Sequence, residues 1–196
     1  MKVICYGDSN TFGYDPRCVF GDPYASENRW VDILAVKTGW NVVNQGVNGQ
    51  EIPQMPVSFP TDTDFLIIML GTNDLLQCWT PEEICGKMER FLESLMLDQD
   101  KILLIAPPPM KLGEWVQDQE LINASITLTK HYQTLTKRLG VRFVDSGQWN
   151  TPLAYDGVHL TEEGHRAFAE GLLNYLNRER TYAERWHEST CIYPDR

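Results

Sequence analysis

Apolar runs alternate with amphipathic stretches along this chain. Val3-Ile4-Cys5-Tyr6 opens the series, and the run Lys2 to Tyr6 reads as a buried strand. Trp40 to Asn44 supplies a second strand, Lys101 to Ala106 a fourth and Val141 to Val144 a fifth. The third, Asp64 to Leu70, is apolar on both faces, as a central parallel strand is. Between them lie helical periodicities. Asn28 to Thr38 gathers Trp30, Ile33, Leu34 and Lys37 on one side and stops at Gly39. Thr80-Pro81-Glu82-Glu83 places a hydroxyl cap, a first-turn proline and two acids ahead of Ile84, Met88, Phe91, Leu92 and Leu95. A further helix spans about 120 to 138. Thr161-Glu162-Glu163 opens the last one, with Phe168, Leu172 and Tyr175 as its stripe.

Five repeats of strand then helix predict a parallel sheet covered on both faces. Right-handed crossovers make this a three-layer α/β/α sandwich, with its five-stranded parallel sheet in the flavodoxin-like order 2-1-3-4-5. The expected organisation is a single domain over residues 1–178. A polar C-terminal tail over 179–196 is expected to fray, or to dock on the domain or on a neighbouring subunit, so that a homo-oligomer stays open. Pro107-Pro108-Pro109 stiffens the loop after the fourth strand.

Composition narrows the classes. At 196 residues, 42% hydrophobic and 22% charged, the chain can build an apolar core of its own. A net charge of -10 argues against nucleic acid and against an anionic membrane surface, both of which call for clustered Lys and Arg. No run approaches a membrane span, and the four apolar residues before Asp8 are too few for a secretory signal. The five cysteines, Cys5, Cys18, Cys78, Cys85 and Cys191, form no Cys-x-x-Cys pair, which fits reduced thiols in a cytoplasm and no zinc site.

In an open parallel sheet, ligands bind beyond the carboxyl ends of the strands. The first strand runs into Gly7-Asp8-Ser9-Asn10-Thr11, the second into Gln45-Gly46-Val47-Asn48-Gly49, and the third into Gly71-Thr72-Asn73-Asp74. Asp156-Gly157-Val158-His159 lies between the fifth strand and the last helix. Acyl transfer needs a nucleophile, a base, an orienting group and donors for an oxyanion. Ser9 offers the hydroxyl, His159 the base, and Asp156 the carboxylate that turns the imidazole. The Ser9 and Gly46 backbone N–H groups and the Asn73 side-chain amide offer the donors.

Each segment has a plainer reading. Gly7 to Asn10 is ordinary turn chemistry, Gly46 a turn glycine, Asn73 an Asx-turn residue, and Asp156 and His159 a solvated turn before Thr161. Asp8 and Asp74 each stiffen their own loop through backbone N–H groups. His165 is structural, His131 and His187 are surface residues, and Trp79 and Trp115 follow site-edge strands. Placement of all four segments at one sheet edge favours the catalytic reading.

Gly7-Asp8-Ser9-Asn10-Thr11-Phe12-Gly13, Gly46, Gly71-Thr72-Asn73-Asp74 and Asp156-Gly157-Val158-His159-Leu160-Thr161 together resemble the four blocks of the SGNH (GDSL-type) hydrolases. They occur in the family's order, from residue 7 to about residue 165. The resemblance implies Ser9 as nucleophile, His159 as base, Asp156 as its partner, and an oxyanion hole completed by Gly46 and Asn73, with no metal or other cofactor. Position 10 is Asn where the name motif has Leu, which resembles the arylesterase-like and acyltransferase-like branch. Family members act on carboxylic esters, thioesters, lysophospholipids and acetylated sugars. The expected partner is therefore a small-molecule ester, met by loops at 14–28, 50–62 and 107–119.

Two other classes stand beside this one. A metal-dependent hydrolase would use Asp8, Asp156, His159 and His165, whose spacing matches no metal pattern. A non-catalytic ligand-binding module would retain the same loops. A P-loop is excluded because Gly7 to Gly13 lacks the following Lys-Ser/Thr, and the α/β-hydrolase elbow because Thr11 replaces its second glycine.

Overall fold

In the computed structural model, which describes the backbone of residues 1–190 and the side chains of 1–179, the strands are β1 (Lys2–Gly7), β2 (Asn41–Gly46), β3 (Phe65–Met69), β4 (Ile102–Ala106) and β5 (Arg142–Asp145). They form one sheet in the order β2-β1-β3-β4-β5, and every pairing is parallel. The helices are α1 (Ser9–Phe12), α2 (Trp30–Thr38), α3 (Thr72–Leu76), α4 (Pro81–Ser94), α5 (Gln119–Leu139) and α6 (Glu162–Thr190).

Period-two alternation along the buried strands divides the core in two. Ile4, Leu66, Ile68, Ile102 and Leu104 face α4 and α5, where they meet Ile84, Met88, Phe91, Leu128, Tyr132 and Leu135. Val3, Cys5, Phe65, Ile67, Leu103 and Ile105 face α2 and α6, against Trp30, Leu34, Phe168 and Leu172. Both sets are essentially inaccessible to solvent. At about 25 cal/mol per Å² of apolar surface, this double burial is the main force that holds the sheet between its helices.

Local signals operate as chemistry requires. Thr80 caps α4 in a full capping box, with its hydroxyl accepting from the Glu83 N–H while the Glu83 carboxylate accepts from the Thr80 N–H. Gly39 and Gly140 close α2 and α5 in the left-handed region. Two expectations are revised. The segment before Trp30 is a separate 3-10 turn, Ser26–Asn28, and not the first turn of α2. The last helix does not end near Arg178 but runs to Thr190, since no Gly or Pro interrupts residues 178–190. Residues 191–196 of the expected tail lie outside the described residues.

The register sets the site. Gly7 pairs with Gly46 on one side and Met69 on the other, so β1, β2 and β3 all end at the same level. No helix among the described residues is long and apolar enough to cross a membrane.

Candidate active site

β1 breaks at Asp8, whose carboxylate Oδ1 accepts from the Asn10 N–H and caps the single turn α1. That turn puts Ser9 at its first position, nearly buried, with a backbone N–H that has no partner among the described residues. The turn must lie tightly against β2. A Cβ on Gly46 would stand 2.1 Å from the Phe12 backbone nitrogen, and one on Gly7 would stand 2.6 Å from the Met69 carbonyl oxygen.

His159 comes from the turn ahead of α6, 150 residues along the chain from Ser9. Its Nε2 lies 2.9 Å from Ser9 Oγ, and its Nδ1 lies 2.8 Å from Asp156 Oδ2. The other Asp156 oxygen, Oδ1, accepts from the backbone N–H groups of Val158 (2.8 Å) and His159 (2.9 Å). Burial raises the Asp156 pKa, but the imidazole and the two N–H donors outweigh it, so the carboxyl sits below its ordinary value. An ionised Asp156 accepts Nδ1–H, which leaves Nε2 as the acceptor for the Ser9 hydroxyl. The ring is flanked by Tyr14, at 4.6 Å between centroids, and by Trp115, edge-on at 5.0 Å.

The donors predicted for an oxyanion fare differently. Asn73 lies at the start of α3 and spends one amide hydrogen on the Gln50 carbonyl at 3.1 Å, which leaves the second for a ligand. The Gly46 N–H is not free: it donates to Asn44 Oδ1 at 2.9 Å, while Asn44 Nδ2 donates to the Thr11 carbonyl. In the same turn Gly49, at φ +73°, has an N–H with no partner among the described residues, and a Cβ there would meet open space. The sequence pattern singles out the strand's last glycine, Gly46, and not Gly49. The signal available was a second glycine where the turn itself needs the left-handed region.

Asp74 departs from its expectation. It accepts from the Ile52 N–H, in a different loop, and from Lys87 Nζ at 2.9 Å, and Trp79 covers that ammonium at 3.8 Å. Trp79 thus packs on the Lys87 strut and only Trp115 reaches His159. Asp8 is fully buried with Oδ2 unpartnered among the described residues, and burial, partly offset by the Asn10 N–H and the nearby His159, pushes its pKa up to about 6. His165 is buried against Tyr24, and burial, then the Arg29 and His159 charges, pushes its pKa down to about 3. His131 pairs with Glu82, and His187 lies outside the described side chains. No cluster of three His, Cys, Asp or Glu side chains among the described residues could hold a metal ion.

A model of the GDSL-like Lipase/Acylhydrolase family matches residues 5–167, which is well over half of the chain. The chain belongs to the GDSL-like lipase/acylhydrolase family. It is a carboxylic ester hydrolase on the fold described above. Solved structures similar to this GDSL-like protein include the native aryl esterase of M. smegmatis, with 23% identity and a TM-score of 0.75 over 90% of this chain and 98% of that one. A putative arylesterase from Agrobacterium tumefaciens str. C58 matches with 26% identity and a TM-score of 0.75 over the same shares, 90% and 98%. Est24, a carbohydrate acetylesterase from Sinorhizobium meliloti, matches with 23% identity and a TM-score of 0.74, again over 90% and 98%. No curated protein matches the chain in sequence.

Proposed function

We propose that the protein is a serine esterase that cleaves small carboxylic esters, or transfers their acyl group, through an acyl-enzyme on Ser9. The observation that carries this reading is the unbroken chain of hydrogen bonds from Ser9 Oγ through His159 to Asp156. Ser9 Oγ attacks the ester carbonyl while Nε2 takes its proton, and the imidazolium is stabilised by the Asp156 carboxylate. The carbonyl oxygen, now an anion, is met by the Ser9 N–H and the free hydrogen of the Asn73 amide. Gly46 contributes by letting β2 approach α1, with its N–H committed to Asn44, and Gly49 offers the N–H in that turn. The imidazolium then protonates the leaving alcohol. Water or a second alcohol, deprotonated by Nε2, releases the acyl group and restores the free serine.

Tyr14 and Trp115 bound the imidazole and present aromatic faces to a small acyl or alkoxy group. One of the similar structures is named a carbohydrate acetylesterase, which agrees with a short acyl donor. Four described cysteines, Cys5, Cys18, Cys78 and Cys85, are free thiols, which supports a reducing cytoplasmic setting.

The test is turnover of p-nitrophenyl esters from acetyl to decanoyl, with and without a competing alcohol, beside Ser9→Ala. We expect the variant to lose about 10³-fold or more in kcat, and a serine-directed fluorophosphonate to label the wild type alone. Equal turnover by the two proteins overturns the reading.

A further inference from the structure

Asn10 stands next to the nucleophile and is nearly inaccessible, at 3% exposure. Both polar atoms of its side-chain amide are engaged, and with one segment only. Nδ2 donates to the Val158 carbonyl at 3.1 Å, and Oδ1 accepts from the Leu160 N–H at 2.8 Å. These are the two peptide groups that flank His159. The amide therefore pairs with the backbone on either side of the histidine much as a neighbouring strand would. We propose that Asn10 is a positioning residue that sets the distance between Ser9 and His159, an inference that rests on the serine esterase reading.

The geometry supports a yoke rather than a general packing role. Ser9 and Asn10 share a peptide inside the short turn α1, whose place is fixed by the Asp8 cap and by the close approach of β2 at Gly46, while the bond from Trp30 Nε1 to the Asn10 carbonyl at 2.8 Å does not reach the 156–160 turn. Residues 156–160 are tied among themselves by Asp156 Oδ1, which holds the N–H groups of Val158 and His159. Each half is held together by hydrogen bonds of its own. Apart from the Ser9–His159 contact, the hydrogen bonds that join the halves are the two from Asn10. Val158 and Leu160 are themselves buried, so loss of the amide leaves a carbonyl and an N–H without water to replace it. The relaxation open to the 156–160 turn is a shift away from α1, which lengthens the contact between Ser9 Oγ and Nε2. A displacement near 1 Å at a reacting pair can cost about 10²-fold in rate. At this position the family's name motif carries Leu, so Asn10→Leu is a near-isosteric change toward the commoner residue, and it is expected to harm this chain.

The experiment measures kcat and KM for a p-nitrophenyl acetate series, together with the rate of fluorophosphonate labelling and the thermal midpoint. It compares wild type, Asn10→Leu, Asn10→Asp, Trp30→Phe and Ser9→Ala. Asn10→Leu is expected to lose about 10²-fold in kcat and in labelling rate, with KM within about two-fold of wild type. Asn10→Asp keeps the acceptor for Leu160 and loses the donor to Val158, and is expected to lose about ten-fold. Trp30→Phe removes the bond to the Asn10 carbonyl and is expected to lower the thermal midpoint while kcat stays near wild type. The inference is overturned if folded Asn10→Leu, counted by its circular dichroism, keeps kcat within about three-fold of wild type. It is equally overturned if Trp30→Phe, at a matched loss of midpoint, loses as much kcat. Should Asn10→Leu not fold, Asn10→Asp decides by the same criteria. If Ser9→Ala turns over as fast as wild type, the esterase reading itself fails, which is a separate outcome.

Discussion

One amide hydrogen of Asn73 is bound to the Gln50 carbonyl at 3.1 Å, so the group is held in place before any ester arrives. In the proposed mechanism, a donor held this way needs no reorganisation as the oxyanion forms. Replacing Asn73 with Ala is expected to lower kcat by about 10²–10³-fold, with a much smaller change in KM. Steady-state kinetics on a p-nitrophenyl ester check this, and a loss confined to KM would contradict it. Ser9, Asp156 and His159, the proposed triad, were legible because a strand end followed by Gly-Asp-Ser, and an Asp-x-x-His turn before a helix, are local patterns. The engagement of the Gly46 N–H was not, because it depends on where Asn44 sends its side chain. The same holds for Asn10: its partners, Val158 and Leu160, are remote in sequence.

At the scale of elements, the loop between β4 and α5 is laced onto the turn that carries Asp156 and His159 through the backbone. Lys111 donates to the Gly157 carbonyl, Glu114 to Tyr155 and Trp115 to Asp156, each at 3.0–3.1 Å. This requires two glycines. A Cβ on Gly113 would lie 2.4 Å from the Asp156 carbonyl carbon, and Gly157 sits at φ +81° with the Lys111 carbonyl oxygen 2.1 Å from where its Cβ would be. Gly113→Ala must therefore displace the turn that carries Asp156 and His159. We expect a loss of about 1–3 kcal/mol in stability from this overpacking, together with a fall in kcat. Gly86→Ala is the contrast. It lies inside α4, and the nearest atom to an added Cβ is the flexible end of Arg90 at 3.6 Å. It should raise stability by about 0.5–1 kcal/mol and leave kcat unchanged. Denaturant melts of both variants, with kinetics, test the pair.

For the whole molecule, two buried groups tilt stability against pH in opposite directions. His165 is held neutral, with its pKa near 3 in the folded protein against an ordinary 6.5. Below pH 6.5 the unfolded chain binds a proton that the folded one refuses, so stability is complete above that pH and drains away toward pH 3. Asp8 works the other way. Its folded pKa of about 6 exceeds the ordinary 3.8, so the folded state is favoured when the carboxyl is protonated and loses that advantage as pH rises from 3.8 through 6. Asp156, held low by His159, adds a contribution that is present above its ordinary pKa and lost only as pH falls through its depressed folded value. Thermal midpoints from about pH 3.5 to 8 should show His165→Asn with a shallower decline on the acid side. Asp8→Asn should abolish the loss between about pH 4 and 6. Midpoints for either variant that run parallel to wild type would contradict the assignment.

The order of the strands, the two-sided core and the four loops at one edge of the sheet were all present in the residue pattern. Periodicity states which face of a strand is apolar, and right-handed crossovers restrict how such strands can be laid side by side. Those are properties of short segments and of chain connection. The tertiary structure alone decided which polar groups in those loops are spent and which are free. Gly46 lost its N–H to Asn44, Asp74 crossed to Ile52 and Lys87, and Asn10 joined the two halves of the site. Hydrogen bonds are short-ranged and directional, so their pairing is settled only when segments far apart in the chain come within about 3 Å of each other.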